Sequence, residues 1–270
     1  MTPAAIRTFQ SIITGYYQEF GRSFPWRCTK DPYYILVSEI MLQQTQTYRV
    51  EPKYVEFIRV FPTIESLADA SFTQVLRYWK GLGYNRRARY LHQCAQAVVQ
   101  QYGGVMPSDP SLLQELPGIG SYTSCAVSTF AYNQPHVFIE TNIRAVFIAH
   151  FFQLQEKVTD KEIMPIIEQA LDTERPREWY YALMDYGVHL KQQGNPNKKS
   201  AHYTKQSKFE GSTRQVRGLI LERLLQHKNL EVVDLFTQLD KNEEQMSTAL
   251  AQLIAEKLVV YNGQLVQLAE

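Results

Sequence analysis

Apolar residues recur every three or four positions along most of the chain, and this spacing places them on one face of an α-helix. Pro, Gly, Asp and Ser residues interrupt the pattern at intervals, which is typical of helix ends and of the turns between helices. The pattern predicts helices over residues 4–19, 33–45, 50–61, 64–70, 72–80, 85–102, 162–171 and 179–190. Further helices are predicted after Asp109-Pro110, from Ser121 and after Glu140. Up to about residue 190 the chain is therefore expected to be mainly helical.

One predicted helix, residues 33–45, is apolar nearly all round and is therefore expected to be buried. Glu39 lies in its middle, where removal from water raises the pKa of a carboxyl group. Two interpretations follow: Glu39 pairs with a buried Arg or Tyr, or it acts as a general acid, which we favour. The amides of Gln43 and Gln44 near the end of this helix either satisfy the helix end or reach DNA bases.

The last part of the chain has a different pattern. Residues 216–225, 232–239 and 243–258 predict three helices, and two short β runs follow over residues 259–268 with Asn262-Gly263 between them. Asn-Gly between such runs is a strong signal for a β-hairpin. Three helices followed by a hairpin predict a winged helix, which is compatible either with DNA contact or with protein docking.

A turn and a downstream acid stand out near the middle of the chain. Leu116-Pro117-Gly118-Ile119-Gly120 predicts a tight turn before the helix that starts at Ser121. Backbone N–H groups at such a helix start suit a phosphate oxygen, although a simple helix connection has the same pattern. About twenty residues later, Glu140 follows a strand-like apolar run, residues 137–139. A carboxylate near a phosphate-binding turn points to chemistry on a nucleic-acid sugar.

Composition and charge narrow the functional class. The 270 residues suffice for one large or two ordinary domains, and 44% hydrophobic with 20% charged residues indicates a globular protein. No apolar run has the length of a membrane span, and residues 1–17 lack the pattern of a signal peptide, so the protein is expected to be soluble and intracellular. The three cysteines, Cys28, Cys94 and Cys125, are scattered and predict neither a disulfide framework nor a cysteine-rich metal site.

The net charge of +1 is unevenly distributed. Residues 191–217 contain seven bases and one acid, seven minus one giving +6, so the remainder of the chain carries −5. The seven bases are Lys191, Lys198, Lys199, Lys205, Lys208, Arg214 and Arg217. This stretch is either a solvated linker or a contact with a phosphate backbone.

Several short motifs stand out together: Phe24-Pro25-Trp26-Arg27, Asp31-Pro32-Tyr33, Ser38-Glu39-Ile40-Met41-Leu42-Gln43-Gln44-Thr45, Gly81-Leu82-Gly83-Tyr84, Arg87-Ala88-Arg89, Leu116-Pro117-Gly118-Ile119-Gly120 and Asn142. With these motifs the chain resembles the helix-hairpin-helix DNA glycosylases, and within that family the adenine DNA glycosylases of the MutY type. The resemblance covers about residues 5–190. It implies an all-α, two-module glycosylase fold, here followed by the small winged-helix-like α+β domain.

The resemblance also implies domain boundaries and a binding mode. One helical module would span residues 24–134, the second would combine residues 1–23 with 135–211, and the winged-helix-like domain would span 212–270. Double-stranded DNA that contains a mispair or a damaged base would bind between the modules.

Residue roles carry over from the family position by position. Glu39 matches the general acid, Glu140 falls where the family has its catalytic Asp, and Tyr122 matches a tyrosine near that Asp in some members. The other matched residues would bind DNA or the base: Trp26 and Arg27 would line the base pocket, Gln44 and Tyr84 would enter the base stack, and Gly118 and Gly120 would grip a phosphate. Further DNA contacts are expected at Gln43, Arg86, Arg87, Ser121, Lys198 and Lys199.

Four departures from the family pattern modify these expectations. Glu140 replaces Asp, and Tyr122 stands where bifunctional relatives have a lysine nucleophile, so AP lyase activity is expected to be weak or absent. Residues 191–211 contain no cysteine, so neither the iron–sulfur cluster of the family nor any other cofactor or metal is expected. The adenine enzymes carry a larger C-terminal domain that reads 8-oxoguanine, whereas about 58 residues follow Ser212 here.

The sequence thus predicts a monofunctional DNA glycosylase of base excision repair, with adenine from a mispair with 8-oxoguanine or guanine as the first substrate. A glycosylase for hypoxanthine, or for uracil or thymine opposite guanine, is the alternative within the same class. A DNA-structure-binding protein without catalysis is the alternative from another class. The protein is expected to be monomeric, to have no membrane partner, and to be cytoplasmic and nucleoid-associated if bacterial.

Overall fold

A computed structural model describes residues 2–205, 208–239 and 241–270, and these residues form helices with one small sheet near the end. The helices are α1 (Pro3–Phe20), α2 (Pro32–Leu42), α3 (Thr47–Val60), α4 (Ile64–Ala68), α5 (Phe72–Trp79), α6 (Arg86–Tyr102), α7 (Pro110–Gln114), α8 (Ser121–Tyr132), α9 (Thr141–Phe151), α10 (Asp160–Ala170), α11 (Pro176–Gln193), α12 (Thr213–Gln226), α13 (Val232–Leu239) and α14 (Glu243–Ala255). The all-α class with a small C-terminal sheet is confirmed. None of the described helices is long and apolar enough to cross a membrane.

Helix α2 ends three residues earlier than the apolar pattern predicts. It stops at Leu42, and Gln43, Gln44 and Thr45 form a turn in which Gln44 has a left-handed φ of 54°. The guanidinium of Arg87 binds the carbonyl oxygens of residues 40, 41 and 43, and the first two are acceptors that a helix continued to residue 45 would have used itself. The early end of α2 is therefore decided by a side chain from α6.

The strand-like run of residues 137–139 does not form a strand, since residues 133–140 have no regular secondary structure. Phe138 is nevertheless buried, and its ring stacks on the ring of Tyr180 with centroids 3.8 Å apart. The Tyr180 hydroxyl also accepts a hydrogen bond from the Phe138 backbone N–H at 3.3 Å. An aromatic side chain of α11 thus satisfies a backbone group that would otherwise have needed a neighbouring strand.

The chain divides into two compact units. The first unit consists of the described residues within 1–39, 107–115 and 119–205. Its core contains an aromatic cluster in which Phe9 contacts the rings of Phe147, Phe151 and Trp179 at 5.0 to 5.9 Å. Helices α9 and α11 pack closely because Gly187 leaves space for the backbone of α9.

The second unit consists of the described residues within 40–106, 116–118 and 206–270. Phe57, Phe61 and Trp79 form the centre of its helical part, and all three are at most 1% exposed. The C-terminal segment belongs to this unit and is joined to α5 and the turn after it by the hydrogen bond Thr73–Glu270 and the ion pair Lys80–Glu222, both at 2.6 Å. The three domains inferred from sequence, residues 24–134, 1–23 with 135–211, and 212–270, stay a prediction.

The C-terminal segment contains the predicted helices and hairpin. Strands β2 (Val259–Tyr261) and β3 (Leu265–Leu268) pair antiparallel, with Val259 opposite Leu268, as the Asn262-Gly263 turn predicts. A third strand, β1 (Leu230–Glu231), pairs with the other edge of β3, giving the order β1-β3-β2. Its two residues are too few to show a period-two pattern in the sequence.

Candidate active site

Glu39 is placed by α2 in the interior of the first unit, where it is 7% exposed. Its Oε2 accepts a hydrogen bond of 2.9 Å from the hydroxyl of Tyr122. Burial raises the pKa of Glu39 from 4.5 to about 7, and the Glu140 charge raises it too, whereas the Tyr122 hydrogen bond and Arg27 lower it. Near neutral pH, Glu39 is therefore in part a protonated acid.

Tyr122 connects the two carboxylates that the sequence singled out. It lies in the first turn of α8, and burial together with the charges of Glu39 and Glu140 holds its pKa well above the usual value of 10. Its ring meets the edge of Phe138 at 5.7 Å. The phenol thus remains a hydrogen-bond donor, and both glutamates lie within electrostatic reach of it, although 101 positions separate them in the sequence.

Glu140 occupies the N-cap of α9, and its carboxylate closes the start of that helix. Oε1 accepts hydrogen bonds from the backbone N–H groups of Asn142 at 2.7 Å and Ile143 at 2.9 Å. Oε2 accepts one from the side-chain amide of Asn142 at 3.1 Å. Asp is the usual acid at an N-cap because of its short side chain. The longer Glu140 makes the same bonds with its carboxylate held against the helix start.

Asn142 is itself held by α11. Its Oδ1 accepts a hydrogen bond from Lys191 Nζ at 2.8 Å. Gly187, one turn earlier on α11, allows this approach, since a Cβ there would lie 2.3 Å from the carbonyl oxygen of Asn142. Asn197 adds a bond from its amide to the carbonyl oxygen of Thr141 at 2.9 Å.

Trp26 and Arg27, the residues expected to line the base pocket, lie in a 3-10 turn before α2. Trp26 is 4% exposed and stacks on Phe24 at 4.8 Å. Arg27 forms two hydrogen bonds of 2.9 Å to the carboxylate of Asp185, and its guanidinium lies 4.5 Å from the centre of the Tyr181 ring.

Asp185 is a site residue that the sequence reasoning missed. It is 2% exposed and also binds Arg22, through the backbone N–H at 2.7 Å and the guanidinium at 2.6 and 2.9 Å. Burial opposes ionisation of Asp185, but the bonds from Arg27 and Arg22 outweigh it and hold its pKa below the usual value. The available signal was an Asp within the apolar face of a predicted helix, the same signal that identified Glu39.

In the second unit, Gln44 and Tyr84 lie on two turns that one arginine holds. Gln44 is exposed, Tyr84 is half-buried, and both have a left-handed backbone, with φ of 54° and 47°. Such strain in residues other than glycine persists only where the surroundings impose it, and it clusters at functional sites. The Tyr84 hydroxyl accepts a hydrogen bond from Arg214 of α12 at 3.0 Å.

Arg87 is the residue that imposes these turns. Its Nη1 binds the carbonyl oxygens of residues 40, 41 and 43, and its Nη2 binds those of Leu82 and Gly83 together with the hydroxyl of Thr45. Burial lowers the pKa of Arg87 to about 10, so the group remains charged at neutral pH. Arg87, expected from the sequence to contact DNA, is therefore engaged with the protein, whereas Arg86 is exposed and lies over the Tyr90 ring.

The Leu116–Gly120 turn has the conformation that its glycines predict. Gly118 has a φ of 77°, and a Cβ there would lie 2.4 Å from the Cβ of Tyr90. Gly120 is the N-cap of α8, and nothing lies within 4 Å of where its Cβ would be. Ser121, the first residue of α8, is exposed. The start of this helix is thus accessible to solvent.

The basic segment after α11 contains a 3-10 turn, Pro196–Lys199, followed by a parallel bridge between Val158 and Ser200. Lys198 is exposed, whereas the ammonium of Lys199 donates to the carbonyl oxygen of Gln153. Gln206 and Ser207, within the same segment, lie outside the described residues. Among the residues that the structure describes, no three His, Cys, Asp or Glu side chains are grouped so as to hold a metal ion.

One cleft of the described chain lies apart from Glu39 and Glu140, neither of which lines it. It measures about 500 Å³, lies in the first unit and is lined by residues that include Arg27, Lys30, Arg175, Arg177 and Tyr181. Arg27 and Tyr181 are its connection to the site, because the charges of Arg27 and Glu39 act on each other and that of Glu39 acts on Tyr181.

The chain is similar to known proteins over much of its length. The chain is 35% identical over 190 residues to the adenine DNA glycosylase of Buchnera aphidicola subsp. Baizongia pistaciae (strain Bp), which covers 70% of this chain and 54% of that protein. It is 44% identical over 135 residues to the adenine DNA glycosylase of Mycobacterium tuberculosis (strain ATCC 25618 / H37Rv), covering 50% of this chain and 44% of that protein. The chain therefore spans about half the length of the curated relatives it matches.

A solved structure and a family model extend the likeness to the fold. The structure of a thermostable thymine-DNA glycosylase superposes with a TM-score of 0.61 at 26% identity, covering 68% of this chain and 87% of the other. Residues 37–172, half of the chain, match the model of the HhH-GPD superfamily base excision DNA repair proteins, and the match includes Glu39, Tyr122 and Glu140. The chain thus belongs to the HhH-GPD superfamily of base excision DNA repair proteins.

Proposed function

We propose that this protein is a monofunctional DNA glycosylase that removes adenine from a mispair with 8-oxoguanine or guanine. The observation that carries the proposal is a buried acid, Glu39, with a pKa of about 7 and a hydrogen bond to Tyr122, within electrostatic reach of a second carboxylate, Glu140. The two relatives above, both named adenine DNA glycosylases, support adenine as the base.

Glu39 acts as the general acid in this mechanism. Adenine is a poor leaving group as an anion, so protonation of its ring lowers the barrier to cleavage of the N-glycosidic bond. General acid catalysis contributes about 10²- to 10⁴-fold when the pKa of the acid lies near the working pH. Burial gives Glu39 such a pKa, and the Tyr122 hydroxyl holds the carboxyl group in one orientation.

Glu140 acts on the sugar. Departure of the base leaves positive charge on the sugar ring, as in glycoside hydrolysis, and a carboxylate stabilises or traps this charge. The Glu140 carboxylate is held by two backbone N–H groups and by Asn142, so it need not reorganise when the charge develops. Water then completes the abasic site.

The turns that contain Gln44 and Tyr84, together with the start of α8, would bind DNA and extrude the base. Extrusion of a nucleotide requires a few kcal/mol, and a side chain that fills the vacated space offsets it. We assign this role to Gln44 and Tyr84, a base contact to Gln43, and phosphate contacts to Gly118, Gly120, Ser121, Arg86 and Lys198, whereas Lys199 is engaged with the carbonyl oxygen of Gln153. Arg87 contributes by holding the two turns rather than by touching DNA. Trp26 and Arg27 would contact the extruded base.

Strand cleavage and an iron–sulfur cluster are not part of the proposed activity. Tyr122 offers a phenol, not an amine, so a Schiff base with the sugar is not expected. Residues 191–211 contain no cysteine, and hydrogen bonds of Lys191, Asn197 and Lys199 attach this segment to the first unit. Borohydride trapping and the iron and sulfide content of the purified protein test these two points.

A second candidate function is removal of thymine opposite guanine. It is favoured by the likeness to a thermostable thymine-DNA glycosylase at 26% identity. The raised pKa of Glu39 favours adenine instead, because protonation assists a purine leaving group most.

One experiment separates the candidates. Duplexes that contain adenine opposite 8-oxoguanine, adenine opposite guanine, thymine or uracil opposite guanine, and hypoxanthine are incubated with the protein and then cleaved with alkali at abasic sites. The proposal expects cleavage in the adenine duplexes and its loss in the Glu39→Gln and Glu140→Gln variants. Binding of every duplex without base release would instead identify a DNA-structure-binding protein.

A further inference from the structure

Lys191 has a contact that ties it to the carboxylate on the sugar side of the site. It lies in the last turn of α11, and its Nζ donates to Asn142 Oδ1 at 2.8 Å. The amide nitrogen of the same side chain donates to Glu140 Oε2 at 3.1 Å. A two-bond chain therefore links a lysine to the carboxylate of Glu140.

The chemistry of Lys191 and Glu140 fixes the orientation of the Asn142 amide between them. A side-chain amide has an acceptor end and a donor end, whereas an ammonium group can only donate. Lys191 therefore requires the oxygen of Asn142, which leaves the NH₂ group facing Glu140. Without Lys191, the oxygen of Asn142 loses its donor, and only the hydrogen bond to Glu140 Oε2 restrains the amide.

The backbone around this contact is arranged for it. Gly187 and Lys191 are one turn apart on α11, so they share the helix face that meets the start of α9. A Cβ at position 187 would lie 2.8 Å from the Cβ of Asn142, which shows how closely the two helices approach. Asn197, six residues beyond Lys191, binds the carbonyl oxygen of Thr141 at 2.9 Å. Both ends of the segment 191–197 thus support the first turn of α9.

We propose that Lys191 is a positioning residue that aims the Glu140 carboxylate through Asn142, an inference that rests on the proposed glycosylase function. In this chain residues 191–211 lack the cysteines of a cluster, and the first of them, Lys191, fixes a reacting group instead. The side chain of Glu140 has one more rotatable bond than that of Asp. The hydrogen bond from the side-chain amide of Asn142 to Oε2 restrains this added freedom.

The test compares Lys191→Met with Lys161→Met, which removes an exposed lysine of α10 at the same change in charge. Single-turnover base release should slow about five- to tenfold in Lys191→Met, the effect of one lost hydrogen bond near 1 kcal/mol or slightly more. DNA affinity should change less than about twofold. Lys191→Arg, which retains a donor, should recover much of the rate, and Lys161→Met should match the unmodified protein.

A double-mutant cycle with Asn142→Ala separates positioning from other roles. The proposal expects Lys191→Met to add no further loss when Asn142 is already alanine. It is overturned if the loss is undiminished in that background. It is also overturned if Lys191→Met keeps the full rate but weakens DNA binding and reduces the salt slope by about one, because that is the signature of a phosphate contact. Base release by the unmodified protein from none of the duplexes would refute the glycosylase function itself, which is a different result.

Discussion

Replacement of Glu39 by Gln is expected to abolish base release and, as pH rises above 4.5, to stabilise the fold relative to the unmodified protein. The Glu39 side chain is 7% exposed, and burial raises its pKa from 4.5 to about 7. One pKa unit corresponds to about 1.4 kcal/mol, so ionisation of Glu39 in the folded protein is unfavourable by about 3 kcal/mol. A glutamine of nearly the same shape removes that penalty and still offers an oxygen to the Tyr122 hydroxyl.

The sign of the pH dependence follows from proton binding. Between pH 4.5 and about 7 the folded protein holds a proton on Glu39 that the unfolded chain has lost, so stability falls as pH rises through this window. Below pH 4.5 both states are protonated and the penalty vanishes. The free energy of unfolding of Glu39→Gln should therefore equal that of the unmodified protein near pH 4.5, within the small difference between amide and carboxyl. By pH 8 it should exceed that of the unmodified protein by up to about 3 kcal/mol.

Urea denaturation of both proteins at several pH values between 4.5 and 8 measures this difference, because all other titrating groups are common to the two. Glu140→Gln is the contrasting variant: its new NH₂ group would face the amide nitrogen of Asn142, so it should destabilise at every pH. If the free energies of unfolding of the unmodified protein and of Glu39→Gln change in parallel with pH across this window, the raised pKa of Glu39 is refuted. A base-release rate of Glu39→Gln close to that of the unmodified protein would remove Glu39 from the mechanism.

Three further predictions follow from other contacts. In Tyr122→Phe the hydrogen bond that stabilises ionised Glu39 is lost, so the pKa of Glu39 should rise and the alkaline limb of single-turnover base release should move to higher pH; an unmoved limb would contradict this. Asp185→Asn leaves the buried guanidinium of Arg27 without its counter-charge and should lower the free energy of unfolding by about 3 kcal/mol or more in urea denaturation, against no change if the pair is dispensable. Gly118→Ala forces a side chain into a left-handed backbone and against a tyrosine of α6, and it should weaken binding to any duplex in a fluorescence titration, while equal affinity would exclude the turn from the interface.

The spacing of apolar and polar residues along the chain was sufficient to predict most of the secondary structure and the buried acid Glu39. The periodic apolar positions predicted α1, α6 and α13 to within one residue at each end, and the Asn262-Gly263 signal predicted the hairpin. The apolar surroundings of Glu39 in the sequence already implied its burial and its raised pKa. These properties depend on residues a few positions apart, which is why the sequence reveals them.

The sequence by itself thus determined the helices, the winged segment and both candidate acids, and the family resemblance supplied their roles. Only the tertiary structure decided which distant groups meet. The early end of α2 depends on Arg87, and the support of Glu140 depends on Lys191. The charge of Arg27 is balanced by Asp185, which is 158 positions away in the sequence. Such pairs form because helix packing brings their backbones together and buried charges then require partners, and neither condition leaves a periodic trace in the chain.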